Sequence, residues 1–78
     1  MRLREKENIM KTLKRTLLKN KKQKILVVFY RNKSFELKIR VHFLMNNTQE
    51  FCKVNSIKEG LNELSKILKE FKLEGYIS

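Results

Sequence analysis

From Phe35 to Phe43 the chain alternates without a break: Phe35, Leu37, Ile39, Val41 and Phe43 are apolar, with Glu36, Lys38, Arg40 and His42 between them. Successive side chains of a strand point to opposite faces, so a period of two specifies a strand with one face in a core and one in water. Such a strand needs neighbours along its edges and a cover for its apolar face. The segments on either side are candidates for both.

Upstream, Ile25, Leu26, Val27, Val28, Phe29 and Tyr30 are mostly β-branched or aromatic, the mark of a central strand covered on both faces, predicted over about 24–31. The turn residues Arg31 to Ser34 lead into the alternating strand, about 35–45. Asn46 and Asn47 suit the positive φ of a tight hairpin, and Thr48 to Val54 returns as a third strand over 48–54. With two-residue turns in both hairpins, Arg40 pairs with Lys53 and His42 with Phe51, while Lys38 lies across from Val27 and Glu36 from Phe29. A three-residue first loop instead moves Phe29 into the core and brings Tyr30 out.

Two helices are expected. Ile9, Met10, Leu13 and Leu17 fall on one helical stripe, with Lys11, Lys14, Arg15 and Lys19 away from it, predicting a basic amphipathic helix over about 5–20, frayed before about residue 5 and ended by Asn20 and the run Lys21 to Lys24. At the other end, Ser56 and Glu59 have the form of a capping box, and Ile57, Leu61, Leu64, Leu68 and Phe71 recur at helical spacing, predicting a helix over about 56–74. Gly60 permits close approach to the sheet, and Gly75 suits a left-handed cap with Tyr76 and Ile77 folding back. The expected fold is α+β: a two-layer α-β-β-β-α sandwich over residues 1–78, a three-stranded antiparallel meander with both helices on one face.

Charge points to a partner class. Nineteen Lys and Arg against eight acidic residues give a net charge of +11 on 78 residues. The excess is concentrated before residue 25, where ten basic residues meet only Glu5 and Glu7, whereas residues 56–78 balance. A one-sided cationic field attracts polyanions and speeds their encounter. Lys11, Lys14, Arg15, Lys19, Lys21, Lys22 and Lys24 are the expected phosphate contacts. The uncovered sheet face adds Lys38, Arg40 and Lys53 with His42, Phe29 and Phe51; Phe51 is the aromatic expected to contact nucleic acid, because bases stack on rings. The alternative for that face is an apolar strip of Ile25, Val27, Phe29 and Phe51, buried by a second subunit or by the N-terminal helix.

Other chemistries have little to work with. Cys52 is the single cysteine and His42 the single histidine, so neither a disulfide within the chain nor a zinc site is expected. There is no Asp, no catalytic residue is assigned, and no cofactor or metal is expected. Cys52, alternating with Phe51, is expected in the core beside Val41 and Val54. The apolar run Ile25 to Tyr30 is far short of the roughly 20 residues of a membrane span, no apolar signal core follows the basic start, and a cytoplasmic protein is expected.

In element order the chain resembles the double-stranded-RNA-binding domain and the small ribonuclease toxins of that layout, which carry one strand histidine. It departs from the first at Asn55, Ser56, Ile57, Lys58, Glu59 and Gly60, where that family has a Lys-rich helix start. It departs from the second at Arg40, Val41, His42 and Phe43, where the toxins have a Gly-Ser-His type segment. The expected function is that of a small basic nucleic-acid-binding protein, regulatory or accessory and of phage or plasmid type, with DNA or RNA as ligand. A module docking on an acidic protein partner is the alternative, a ribonuclease toxin centred on His42 a weaker one. Because a core of this size typically stabilises by only about 3 to 5 kcal/mol, a homodimer is also expected.

Overall fold

The segment Ile25 to Tyr30 decides the architecture. In the computed structural model, which describes residues 9–78, Ile25, Val27 and Phe29 are fully buried, and Val28 and Tyr30, which point the other way, are nearly so. A strand buried on both faces is poorly placed at a sheet edge, where its N–H and C=O groups would lack partners on one side. It therefore takes a neighbour on each side. Four strands, β1 (Ile9–Lys19), β2 (Lys24–Asn32), β3 (Leu37–Phe43) and β4 (Thr48–Val54), precede one helix, α1 (Ile57–Leu73). They form one antiparallel sheet in the order β1-β2-β3-β4.

This corrects the expected three-stranded meander with two helices: over its described part, the N-terminal helix expected at about 5–20 is the edge strand β1. Residues 5–8 of that expected helix, and the fraying before it, lie outside the described residues. Helix-favouring Leu, Met and Lys are overridden because the segment supplies β2 with a hydrogen-bonded neighbour from Lys19↔Lys24 to Ile9↔Asn32. The helical stripe is dispersed accordingly. Leu18 becomes fully buried, Leu17 faces the opposite side at 47% exposure, and Leu13 reaches the core through an irregularity in register between Thr12 and Lys14. With a strand in place of the first helix, the element order no longer matches the double-stranded-RNA-binding domain or the ribonuclease toxins.

Turn chemistry sets which side chains share a face. Asn20 closes the β1–β2 turn, its Oδ1 accepting from the N–H groups of Lys22 (2.8 Å) and Gln23 (2.7 Å). Between β2 and β3 the loop has three residues, Lys33 to Phe35. Phe35 N–H donates to the Asn32 carbonyl (3.0 Å), Asn32 N–H donates to the Glu36 carbonyl (2.9 Å), and Phe35 sits at φ 63°. That is a type I turn followed by a left-handed bulge residue, here filled by Phe where Gly is favoured. The odd loop length turns Phe29 inward and Tyr30 outward, so Phe29 is removed from the open face and Lys38 pairs with Tyr30 instead of Val27. The β3–β4 turn spans four residues, Leu44 to Asn47, so Arg40 pairs with Phe51 and His42 with Gln49. This register differs by two residues from that of a two-residue turn, and each β4 side chain keeps its expected face.

Helix α1 follows the expected capping chemistry. Ser56 Oγ accepts from Glu59 N–H (3.1 Å), and Glu59 Oε1 accepts from Asn55 N–H (3.1 Å). At its end Tyr76 N–H donates to the Phe71 carbonyl and Gly75 N–H to that of Lys72, with Gly75 at φ 102°: a Schellman motif. The motif folds Tyr76 onto Phe71 (centroids 5.4 Å apart), and Ile77 exchanges both backbone hydrogen bonds with Lys19 at the outer edge of β1 (2.8 Å each). The inner face of α1 carries Gly60, Leu64, Ile67, Leu68 and Phe71 over Ile25, Val27, Phe29, Ile39, Val41 and Val54. Ile57 and Leu61, expected in that seam, are exposed.

The helix contacts β2, β3 and β4 but does not cover the rim of β4. Cys52, paired with Ile39, therefore lies on the helix side as expected yet is exposed, which corrects its placement in the core.

Candidate nucleic-acid interface

With α1 on one side, the register brings the remaining side chains into rows across the other. Arg15, Val28, Arg40 and Phe51 are successive cross-strand neighbours, as are Thr12, Tyr30, Lys38 and Lys53, and Leu17, Leu26, His42 and Gln49; Lys19 and Lys24 pair beyond them. This face, which no other element covers among the described residues, thus gathers Arg15, Lys19, Lys24, Lys38, Arg40 and Lys53 around a floor of Leu26, Val28 and Tyr30. Lys21 and Lys22 stand exposed on the β1–β2 turn at one end of it. Lys11 pairs with Arg31 and Lys14 with Phe29, which puts both on the helix side of β1. The expected grip by one face of a basic helix is therefore replaced: of its cations, Arg15 and Lys19 join the sheet surface and Lys11 and Lys14 do not.

Carboxylates are unevenly placed. Among the described residues Glu36 is the acidic residue at the rim of this face; its carboxylate lies 3.1 Å from Lys53 Nζ and 4.0 Å from Lys38 Nζ, and it accepts from Asn32 Nδ2 (3.2 Å). The hydrogen bond from Asn32, then that from Lys53 and its charge, hold the Glu36 carboxyl below its ordinary pKa. The helix is balanced: from Lys58 to Glu74 four lysines meet four glutamates, among them Glu63 and Lys66 at 3.6 Å. Arg15, Lys19, Lys24 and Arg40 form no salt bridge among the described residues. Among the described residues the excess of positive charge is therefore larger on the sheet face, while the helix side adds Lys11, Lys14 and Arg31 from β1 and β2 to a balanced helix.

Arg40 sits at the centre of this surface. Its Nε is buried and has no hydrogen-bond acceptor among the described residues. Burial pushes the neighbouring Tyr30 phenol above its ordinary pKa, and the Arg40 charge opposes that shift. A buried N–H without an acceptor costs about 1–3 kcal/mol, so this position is held at some expense to the fold. At the rim, Tyr30, Asn32, Lys33, Ser34 and Lys38 line a concavity.

Phe51 is 57% exposed on β4, directly across from Arg40. The apolar floor of Leu26, Val28 and Tyr30 was hidden in the sequence, because its placement depends on the length of the Lys33–Phe35 loop. His42 Nε2 lies 3.1 Å from Asn47 Oδ1, and no carboxylate hydrogen-bonds to it among the described residues. Among those residues no group of three or more His, Cys or Glu is arranged to hold a metal ion, and no helix is long and apolar enough to cross a membrane. No protein-family model matches the chain, and comparisons with curated proteins and with solved structures give no match.

Proposed function

We propose that this chain is a nucleic-acid-binding module whose ligand lies on the open face of the four-stranded sheet, held by its phosphates. The observation that carries the reading is the asymmetry of charge: Arg15, Lys19, Lys24 and Arg40 lie on one face without carboxylate partners among the described residues, joined there by Lys38 and Lys53, while the opposite face is closed by a helix of balanced charge beside Lys11, Lys14 and Arg31. Solubility alone is served by mixed charge. A one-sided array is costly through self-repulsion and suits a polyanion. The reading is of binding and not of catalysis: His42 faces an amide, and no acid–base partner hydrogen-bonds to it among the described residues. An exposed, unpaired Cys52 suits a reducing, cytoplasmic setting.

Phosphate contacts release counterions, so affinity must fall as salt rises, with a logarithmic slope of about −0.7 to −0.9 per phosphate neutralised. Four cations without salt bridges among the described residues correspond to a slope of roughly −2.8 to −3.6. Filter binding of DNA and RNA across a salt series tests the reading. Affinity absent at low salt, or independent of salt, overturns it.

A further inference from the structure

We infer that the ligand of this face is a single strand and that Phe51 is the ring on which one of its bases stacks. The inference rests on the reading of the open face as a nucleic-acid surface and adds the strandedness of its ligand. Three observations carry it. The first is shape. Neighbouring strands are about 4.8 Å apart, so four span roughly 14 Å, whereas the major groove of a duplex, about 12 Å wide, admits a helix or a two-stranded ribbon. This face can meet a duplex only from outside, at its phosphates, which would leave Phe51 in water.

The second is the position of Phe51. It is an exposed aromatic ring outside the helix-side core, flanked along β4 by Gln49 and Lys53 and lying across from Arg40. On an edge strand an exposed ring is a liability for pairing with other chains. Bases have apolar faces and ionic backbones, and a ring beside an arginine matches both.

The third is the order of groups along one row. Arg15, Val28, Arg40 and Phe51 follow one another across β1 to β4, which sets two guanidinium-bearing residues roughly 10 Å apart and the ring about 5 Å beyond the second. Arg40 has no salt bridge among the described residues, whereas Lys53 beside it is engaged by Glu36. A strand crossing the sheet along this row offers a phosphate oxygen to Arg40 while the adjoining base covers Phe51. The backbone turns its charge to Arg15 and Arg40, and the bases face β4.

The test is fluorescence anisotropy with labelled oligonucleotides about 10 nucleotides long, as single-stranded DNA, single-stranded RNA and the corresponding duplexes, across salt. The full chain is compared with Phe51→Ala, Phe51→Trp and Arg40→Gln, each checked for folding by circular dichroism. Single strands should bind at least about 10-fold tighter than duplexes. Phe51→Ala should lose roughly 5- to 150-fold in single-strand affinity with the salt slope unchanged. Phe51→Trp should retain affinity and show indole fluorescence quenched on binding. Arg40→Gln should flatten the slope by about 0.7. The DNA and RNA arms identify which backbone is taken. Duplex binding equal to or tighter than single-strand binding, or a folded Phe51→Ala that binds as the parent does, overturns this inference and leaves the nucleic-acid reading standing. No salt-dependent binding to any of the four ligands overturns both.

Discussion

Gly60→Ala is the substitution whose sign the packing of α1 decides. Alanine at a helix interior is favoured over glycine by about 1 kcal/mol, so on propensity alone the change stabilises. A Cβ at residue 60, however, would collide with three carbons of the Phe29 ring, Cζ, Cε1 and Cε2, the last at 2.8 Å against about 3.5–4.0 Å for ordinary carbon contact. Phe29 is fully buried and cannot swing into solvent. Relief therefore requires α1 to lift, loosening Leu64, Ile67 and Phe71 over the sheet. Overpacking of this kind costs about 1–3 kcal/mol, occasionally more, and this overlap belongs at the upper end, giving a net loss of about 1–2 kcal/mol. Urea titration reads it as a lower midpoint at unchanged slope. In a Phe29→Leu background the colliding ring is gone, and Gly60→Ala should become neutral or stabilising, a coupling of about 1–3 kcal/mol. A gain of about 1 kcal/mol from Gly60→Ala alone would refute the placement of the helix backbone on the Phe29 ring. With it would go the reason one sheet face is closed and the other open.

Phe35, at φ 63° and 70% exposed, occupies a left-handed position that costs L-residues about 1–2 kcal/mol, so Phe35→Gly should raise thermal stability by several degrees, less what glycine adds to unfolded-chain entropy. Gly75→Ala, at φ 102°, should act in the opposite sense, lowering the urea midpoint through the Schellman motif. Glu36 has a folded pKa below its unfolded value, so its contribution to stability is present above about pH 4.3 and is lost as pH falls through the folded pKa. Glu36→Gln should weaken that acid dependence in a pH series of urea titrations. The same variant frees Lys53 and Lys38, so it should bind nucleic acid more tightly at low salt and steepen the salt slope.

Much of the fold was legible where a local pattern admits one reading. The alternation from Leu37 to Phe43, the box at Ser56 and Glu59, and the cap at Gly75 each specify their element through short-range chemistry, and Gly60 marked the close approach. Residues 9–19 were not legible, because Ile9, Met10, Leu13 and Leu17 satisfy a helical stripe as well as a bulged strand. What decided between them was the need of β2 for a second neighbour, a non-local requirement. The faces of β2 hinged on a loop whose left-handed residue is Phe35, a type that gives no turn signal. The site shared this fate: Arg15, Lys19, Lys24, Lys38, Arg40, Lys53 and Phe51 were identifiable by type, but their convergence on one surface required the register. Lys11 and Lys14 lie on the other side for the same reason, and Cys52 is exposed because α1 stops short of the β4 rim.

The central claim is that the cations of the sheet face opposite α1 hold a polyanion. The most direct measurement is the salt dependence of single-strand binding for the parent chain and for the double variant Arg15→Gln/Arg40→Gln. A slope of roughly −3 for the parent, reduced in magnitude by about 1.5 in the double variant, is the expected result. A double variant that keeps the parent's affinity and slope would contradict it, since the charge that binds would then lie elsewhere on the molecule.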